Sequence, residues 1–121
     1  MTPANARAAG YIPYAALLPK TSLVVSNGGF QGVQAVLSHG IPMVTAGESE
    51  DKPEVCARLQ RTGASIDLAT ATPEPAAIRS AVRKVLYEPS FSVAATALAR
   101  EGAEAGGAVG AVDAIESVLR R

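Results

Sequence analysis

A chain of 121 residues amounts to about one domain, and 48% apolar against 18% charged residues is enough to bury a core and speaks against disorder. Eleven basic and eleven acidic side chains cancel and aromatics are only 4%, which excludes a strongly basic nucleic-acid or anionic-lipid face and leaves little base-stacking surface. The single cysteine, Cys56, forms no internal disulfide, "MTPANARAAGY" lacks a signal-peptide core, and no apolar run approaches the roughly 20 residues of a membrane span, so a soluble, cytoplasmic protein is expected.

Residues 6–12 read either as a short strand or as an irregular lead-in, and "IPYAALLP" as one helical turn bracketed by Pro13 and Pro19. Residues 22–26, "SLVVS", have the β-branched centre of a strand buried on both faces. Gly28 and Gly29 break that strand. Phe30, Val33, Gln34 and Leu37 follow at helical spacing, and Gly40-Ile41-Pro42 stops the helix with glycine and then proline. Residues 41–46 are a second strand. In "GESEDKPE" a polar loop leads to Asp51 as N-cap, with Pro53 tolerated in the first turn of a helix carrying Val55, Ala57 and Leu59. Gly63 is its C-cap, and "SIDLA" is a third strand.

Past Thr70 the texture changes. Thr72 is an N-cap followed by Pro73, and Ile78, Val82, Val85 and Leu86 share one helical face up to Pro89. Two more Ala-rich helices, "SFSVAATALAREGAEAG" and "AVGAVDAIESVLRR", are hinged at Gly106-Gly107. Neither a long linker nor a repeat of 20–50 residues is visible. Residues 1–70 thus form a strand–helix core with the loops that face ligands, and residues 71–121 a set of C-terminal helices. Strands alternating with helices predict an α/β fold with a parallel sheet flanked by helices. Three or four strands are few for such a sheet, so an open edge must be covered by something else and the chain looks like part of a domain.

In a parallel α/β sheet, ligands sit beyond the carboxyl ends of the strands. "VVSNGGFQG" occupies such a place, at a helix N-terminus whose first N–H groups and dipole favour an anion. Gly28, Gly29 and Gly32 remove side chains that would keep a phosphate away, and Asn27 and Gln31 add neutral donors. The spacing matches neither GxGxxG nor a GK[ST] P-loop, and many strand–helix turns carry two glycines for packing alone. On spacing alone both readings stand.

The second constellation is "GESEDKPE". Its carboxylates can accept hydrogen bonds from sugar hydroxyls and Lys52 can neutralise a phosphate, while an acidic, solvated first turn is also what the helix dipole favours. His39, the only histidine, sits at a helix C-terminus and reads as structural, and Cys56 as a packed thiol. One histidine and one cysteine assemble neither a Ser–His–Asp triad nor a metal cluster, so no catalytic residue and no metal ligand is assigned.

Taken in order, "YIPYAALLP", "LVVSNGGFQGVQAVLSHGIPMV", "EDKPEVCARLQRTGASIDL" and "GGAVGAVDAIESVL" resemble the C-terminal, nucleotide-sugar-binding domain of the UDP-glycosyltransferase superfamily, of the bacterial macrolide and antibiotic type. The resemblance runs over nearly the whole chain. It implies a Rossmann-like, GT-B architecture in which this domain holds the donor and a second, N-terminal domain holds the acceptor.

It further implies a nucleobase contact at Tyr11, Ile12, Pro13 and Tyr14, and a diphosphate cradle at Asn27, Gly28, Gly29, Phe30, Gln31 and Gly32. Donor sugar contacts fall on Glu50, Asp51 and Lys52. Asn27 stands where many members have a histidine, Lys52 where glutamine is common, and Ala35 where many have a glutamate for the ribose.

In such proteins a base from the N-terminal domain activates the acceptor hydroxyl for inverting hexosyl transfer, with no obligatory metal or cofactor beyond a UDP- or TDP-linked sugar donor. The residues here match the leaving-group side of that chemistry and not the base. The expected partner is an acceptor domain or a second chain, and the chain alone is expected to be inactive. The competing expectations are a stand-alone nucleotide-binding module and a structural module that homo-oligomerises over its open sheet edge.

Overall fold

The computed structural model describes residues 3–104. Residues 3–13 form an irregular lead-in, opened by a turn in which the Ala6 N–H donates to Pro3 O at 3.0 Å. Helix α1 (Tyr14–Leu17) continues into a 3-10 turn (Leu18–Lys20), the single helical turn that the two prolines bracket. The order is then β1 (Val24–Ser26), α2 (Phe30–Ser38), β2 (Met43–Thr45), α3 (Lys52–Arg61), β3 (Ser65–Asp67), α4 (Pro75–Tyr87) and α5 (Pro89–Glu104).

The three strands pair in parallel in the order β1-β2-β3. Their register aligns Val24, Met43 and Ser65, then Val25, Val44 and Ile66, and finally Ser26, Thr45 and Asp67 at the carboxyl ends. Because successive side chains alternate across a strand, each row belongs to one face. The row led by Met43 packs with Val33, Val36 and Leu37 of α2, Leu59 of α3, and Ala95 and Leu98 of α5. Val44, in the middle row, packs on the other face against Ala81 and Val85 of α4, with Leu23, Ile66 and Leu68 at the margin. Apolar burial on both faces is what holds strands of three residues in place.

Glycine sets the ends of two helices. Gly40 (φ +70°) follows α2 and Gly63 (φ +86°) follows α3, each in the left-handed region that a side chain disfavours, and each turns the chain back into a strand.

Four expectations need correction. The strand read over residues 22–26 is shorter, and Val25 is 49% exposed, because β1 lies at the sheet edge and α4 covers only its neighbours Val44 and Ile66. Helix α4 starts at Pro75 with Glu74 as N-cap, not after Thr72. The proline ring pushes the preceding residue into extended backbone, and Glu74 sits at φ −67°, ψ 142°. On α4, Leu86 is exposed and not part of the packed face. Asp51 does occupy the N-cap position of α3, but its side chain makes no capping bond and only its carbonyl engages, accepting from the Val55 N–H at 3.1 Å. The helix read over residues 108–121 and the Gly106-Gly107 hinge lie outside the described residues.

Candidate functional site

The carboxyl ends of the strands carry a polar row, Ser26, Thr45 and Asp67, and the loops that leave it lead into the N-termini of α2, α3 and α4. After β1 the chain must turn within residues 27–29, and Gly28 takes φ +83° to do so. Two side chains brace the turn. The Gly28 N–H donates to Ser26 Oγ at 3.1 Å, and the Gly29 N–H donates to Asn27 Oδ1 at 3.1 Å. With its Oδ1 engaged, Asn27 keeps its amide N–H groups as donors.

Gly29 is the N-cap of α2 and, lacking a side chain, supplies no capping bond. At the start of the helix the Val33 N–H donates to Gly29 O at 2.9 Å. The N–H groups of Gln31 and Gly32 precede it at the helix end, where the dipole is positive. A Cβ built on Gly29 would meet only Asn27 Oδ1, at 3.6 Å, so the space over the helix end is open. Of the residues expected to form an anion cradle, 27–32, Gly28 and Gly29 have their N–H groups already bonded, which leaves the helix end and the Asn27 amide as the groups able to meet an anion.

The second loop is locked to the first. A Cβ on Gly47 would run into Asn27 O, and a Cβ on Gly28 into Cys56 Sγ. Only the absence of those two side chains lets residues 27–29 lie against the start of α3. Lys52 stands at that junction: its Cβ is 3.3 Å from the Cβ position of Gly47 and 4.0 Å from that of Gly28. Its ammonium donates to Ser49 Oγ at 3.3 Å. Glu50 is exposed and sits at φ 58° in the loop, and Asp51 is exposed beside it.

Beneath the cradle, Cys56 is fully buried. Burial raises its thiol pKa above the ordinary value, the Thr45 hydroxyl beside it pulls the other way, and the Asp67 carboxylate adds to the rise. Thr45 Oγ1 donates to Asp67 Oδ1 at 3.3 Å, and the same oxygen accepts from the Ala69 N–H at 2.9 Å. The floor of the site is thus a protonated thiol and a braced carboxylate.

Tyr11, Ile12 and Tyr14 are exposed and, with Ala9 and Gly10, line an open hollow of about 550 Å³. None of Asn27, Gly28, Gly29, Phe30, Gln31 or Gly32 lines it, and neither does Glu50, Asp51 or Lys52. The structure thus brings Lys52 next to residues 27–29, while the tyrosine loop lines a hollow of its own. Pro13, the N-cap of α1, is likewise exposed and has no part in the cradle. Ala35 lies in the middle of α2, against the core under that helix, so it contributes no polar group.

Ser26, Gly47 and Cys56 were missed as parts of the site. Ser26 ends a strand and Gly47 follows one, which is a usable signal, whereas the thiol's contact with Gly28 spans 28 residues of sequence and leaves no local trace. Among the described residues no group of three or more His, Cys, Asp or Glu side chains is placed to hold a metal.

A three-stranded parallel sheet with helices on both faces and its loops gathered at the carboxyl ends has the architecture of the GT-B C-terminal half, and solved structures bear this out. The spinosyn forosaminyltransferase SpnP superposes with a TM-score of 0.84 over 100% of this chain and 33% of that one, at 24% identity, which shows the fold. The glycosyltransferase VinC in complex with DTDP matches with a TM-score of 0.78 at 27% identity over 98% of this chain and 29% of that one. The family model for the erythromycin biosynthesis protein CIII-like C-terminal domain matches residues 1–115, and the chain belongs to that family, within the UDP-glycosyltransferase superfamily. The 4'-demethylrebeccamycin synthase of Lentzea aerocolonigenes is 44% identical over 117 residues, which are 97% of this chain and 28% of that protein. The chain therefore spans about a third or less of the length of these relatives. No helix among the described residues is long and apolar enough to cross a membrane.

Proposed function

We propose that this chain binds a nucleotide-diphospho-sugar, UDP- or TDP-linked, as the donor side of an inverting hexosyl transfer to an acceptor hydroxyl. The diphosphate lies over the N-terminus of α2, held by the N–H groups of Gln31 and Gly32 and the Asn27 amide. The base stacks on the loop of Tyr11, Ile12, Pro13 and Tyr14, and the sugar hydroxyls face Glu50 and Asp51. No cofactor beyond the donor enters this scheme, and the base that activates the acceptor comes from a domain or chain other than these 121 residues.

One observation carries the reading. The start of α2 opens at the carboxyl end of a parallel sheet, with no side chain at the N-cap and open space above Gly29. Donors aimed from such a helix end stabilise the charge that develops on a departing diphosphate. Membership in a glycosyltransferase family and the DTDP held by the related VinC support the same ligand chemistry.

Gly29→Val tests it. Gly29 has φ −60° and ψ 133°, which valine adopts without strain, so the variant folds while its side chain fills the space over the helix end. Calorimetry with dTDP and UDP is expected to show binding to the unchanged chain and at least ten-fold weaker binding to Gly29→Val. Equal affinity in a folded variant would place the diphosphate elsewhere.

A second reading, a non-catalytic module that oligomerises, is favoured by the exposed Val25 on β1, which is an edge strand among the described residues. No heat with any nucleotide, together with a concentration-dependent dimer in sedimentation, would select it.

A further inference from the structure

The two ligand loops, residues 27–32 and 46–52, carry one basic side chain between them, Lys52, against Glu48, Glu50 and Asp51. Asn27 is neutral, and His39 stands at the far end of α2. A dianionic diphosphate over the α2 N-terminus would therefore meet a partial helix charge on one side and three carboxylates on the other. Lys52 is the basic residue whose side chain starts at the turn, its Cβ lying beside both Gly28 and Gly47. It makes no ion pair among the described residues, where the only one is Arg58 with Glu54. What its ammonium does engage is a hydroxyl, Ser49 Oγ, in a long 3.3 Å bond that costs little to exchange.

We infer that the Lys52 ammonium binds the donor's diphosphate, supplying the positive charge that Asn27 cannot, and does not serve as a sugar-hydroxyl contact. This inference rests on the donor site proposed above. The four-carbon stem starts beside Gly28, and rotation about its own bonds swings the ammonium from Ser49 over the mouth of the cradle without moving the backbone. Lys52 thereby makes the site selective for a diphosphate over an uncharged nucleoside, and turns an otherwise repulsive loop into an attractive one.

The test uses the whole chain with thymidine, dTDP and dTDP-glucose, at several salt concentrations. For dTDP, Lys52→Met is expected to bind ten- to hundred-fold more weakly, the loss for a charge-assisted hydrogen bond. Its affinity should also rise with added salt, because three carboxylates are left unopposed, whereas the unchanged chain weakens with salt. Lys52→Arg should keep both the affinity and the sign of the salt dependence. Thymidine affinity should be the same for all three, and dTDP-glucose should lose as much as dTDP does.

A second readout needs no variant: dTDP should slow acetylation of Lys52 relative to Lys20 and Lys84, and thymidine should not. If the unchanged chain binds neither dTDP nor dTDP-glucose, the donor site and this role fall together. If it binds but Lys52→Met keeps its dTDP affinity within two-fold, or weakens for dTDP-glucose alone, the diphosphate role falls and the donor site stands.

Discussion

At the scale of single residues, the site depends on two atoms that touch across a long stretch of chain. Gly28 has φ +83° and no room for a Cβ, because Cys56 Sγ fills that room. Gly28→Ala therefore meets two penalties, about 1–2 kcal/mol for a side chain at left-handed φ and about 1–3 kcal/mol for overpacking. The second is removable. In a double-mutant cycle by urea denaturation, Cys56→Ala is expected to cost less in the Gly28→Ala background than alone, by the overpacking share. Additive costs would mean the thiol and the turn do not oppose each other.

The same thiol sets a pH dependence. Burial raises its pKa in the fold, so the folded state keeps the proton that the unfolded chain releases above about pH 8.5. The stability it contributes is present below that pH and is lost as pH rises through the raised folded value. At most one proton is involved, so the alkaline slope steepens by up to about 1.4 kcal/mol per pH unit. Cys56→Ala should flatten the fall in unfolding free energy above about pH 8.5 relative to the unchanged chain, and identical alkaline slopes would contradict a buried, proton-retaining thiol.

At the scale of elements, what was legible followed the strength of the local rule. Gly40 before Pro42 and the glycine of "RTGAS" mark where α2 and α3 end, because a left-handed turn requires glycine whatever packs around it. The helix N-terminus over residues 27–32 was legible for the same reason. The start of α4 was misplaced because Thr72 offers a good cap while Pro75, three residues later, dictates where helical backbone can begin. The strands were overlong because β-branched runs say nothing of where a neighbouring strand stops. Val25 shows the limit most clearly: the run reads as buried on both faces, yet the burial of its outer face depends on a covering element that the sequence of β1 cannot specify.

That exposed edge has a measurable consequence. Val25 is half bare, on a strand that among the described residues has a neighbour on one side only, and such an edge is a template for pairing with another chain. Val25→Lys removes no buried contact of the central row, so its cost to stability is expected to be within about 0.5–1 kcal/mol. If copies of the chain associate through β1, sedimentation velocity should show a dimer that grows with concentration for the unchanged chain and disappears in Val25→Lys. A dimer that survives the substitution would move the contact to another surface, with Leu86, Tyr87 and Val93 of the α4–α5 pair as the next exposed apolar group.

At the scale of the whole molecule, the loops proposed to bind a donor are not accompanied, among the described residues, by a group suited to starting a transfer. An acceptor hydroxyl needs a base within hydrogen-bond reach of it, near the donor's anomeric carbon. His39 is the only histidine, and it lies nine residues along α2 from Phe30, about 14 Å from the cradle at the helical rise. Its Nδ1 is spent on Ala35 O at 3.0 Å, which ties the ring to the helix C-terminus. Cys56 is buried and keeps its proton, and Asp67 is braced by Thr45 and by the Ala69 N–H. Among the described residues of the two loops, Glu48, Glu50 and Asp51 remain, but they stand in open solvent, where water competes with any acceptor and no closed site strengthens the electrostatics of the reaction. Binding without turnover is therefore the expected behaviour of the chain alone. Incubated with UDP-glucose or dTDP-glucose and a panel of alcohols, it should retain calorimetric binding of the nucleotide and yield no glycoside above background by mass spectrometry. Glycoside formation that scales with protein concentration would show that one of those exposed carboxylates acts as the base, and Asp51→Asn and Glu50→Gln would then identify which.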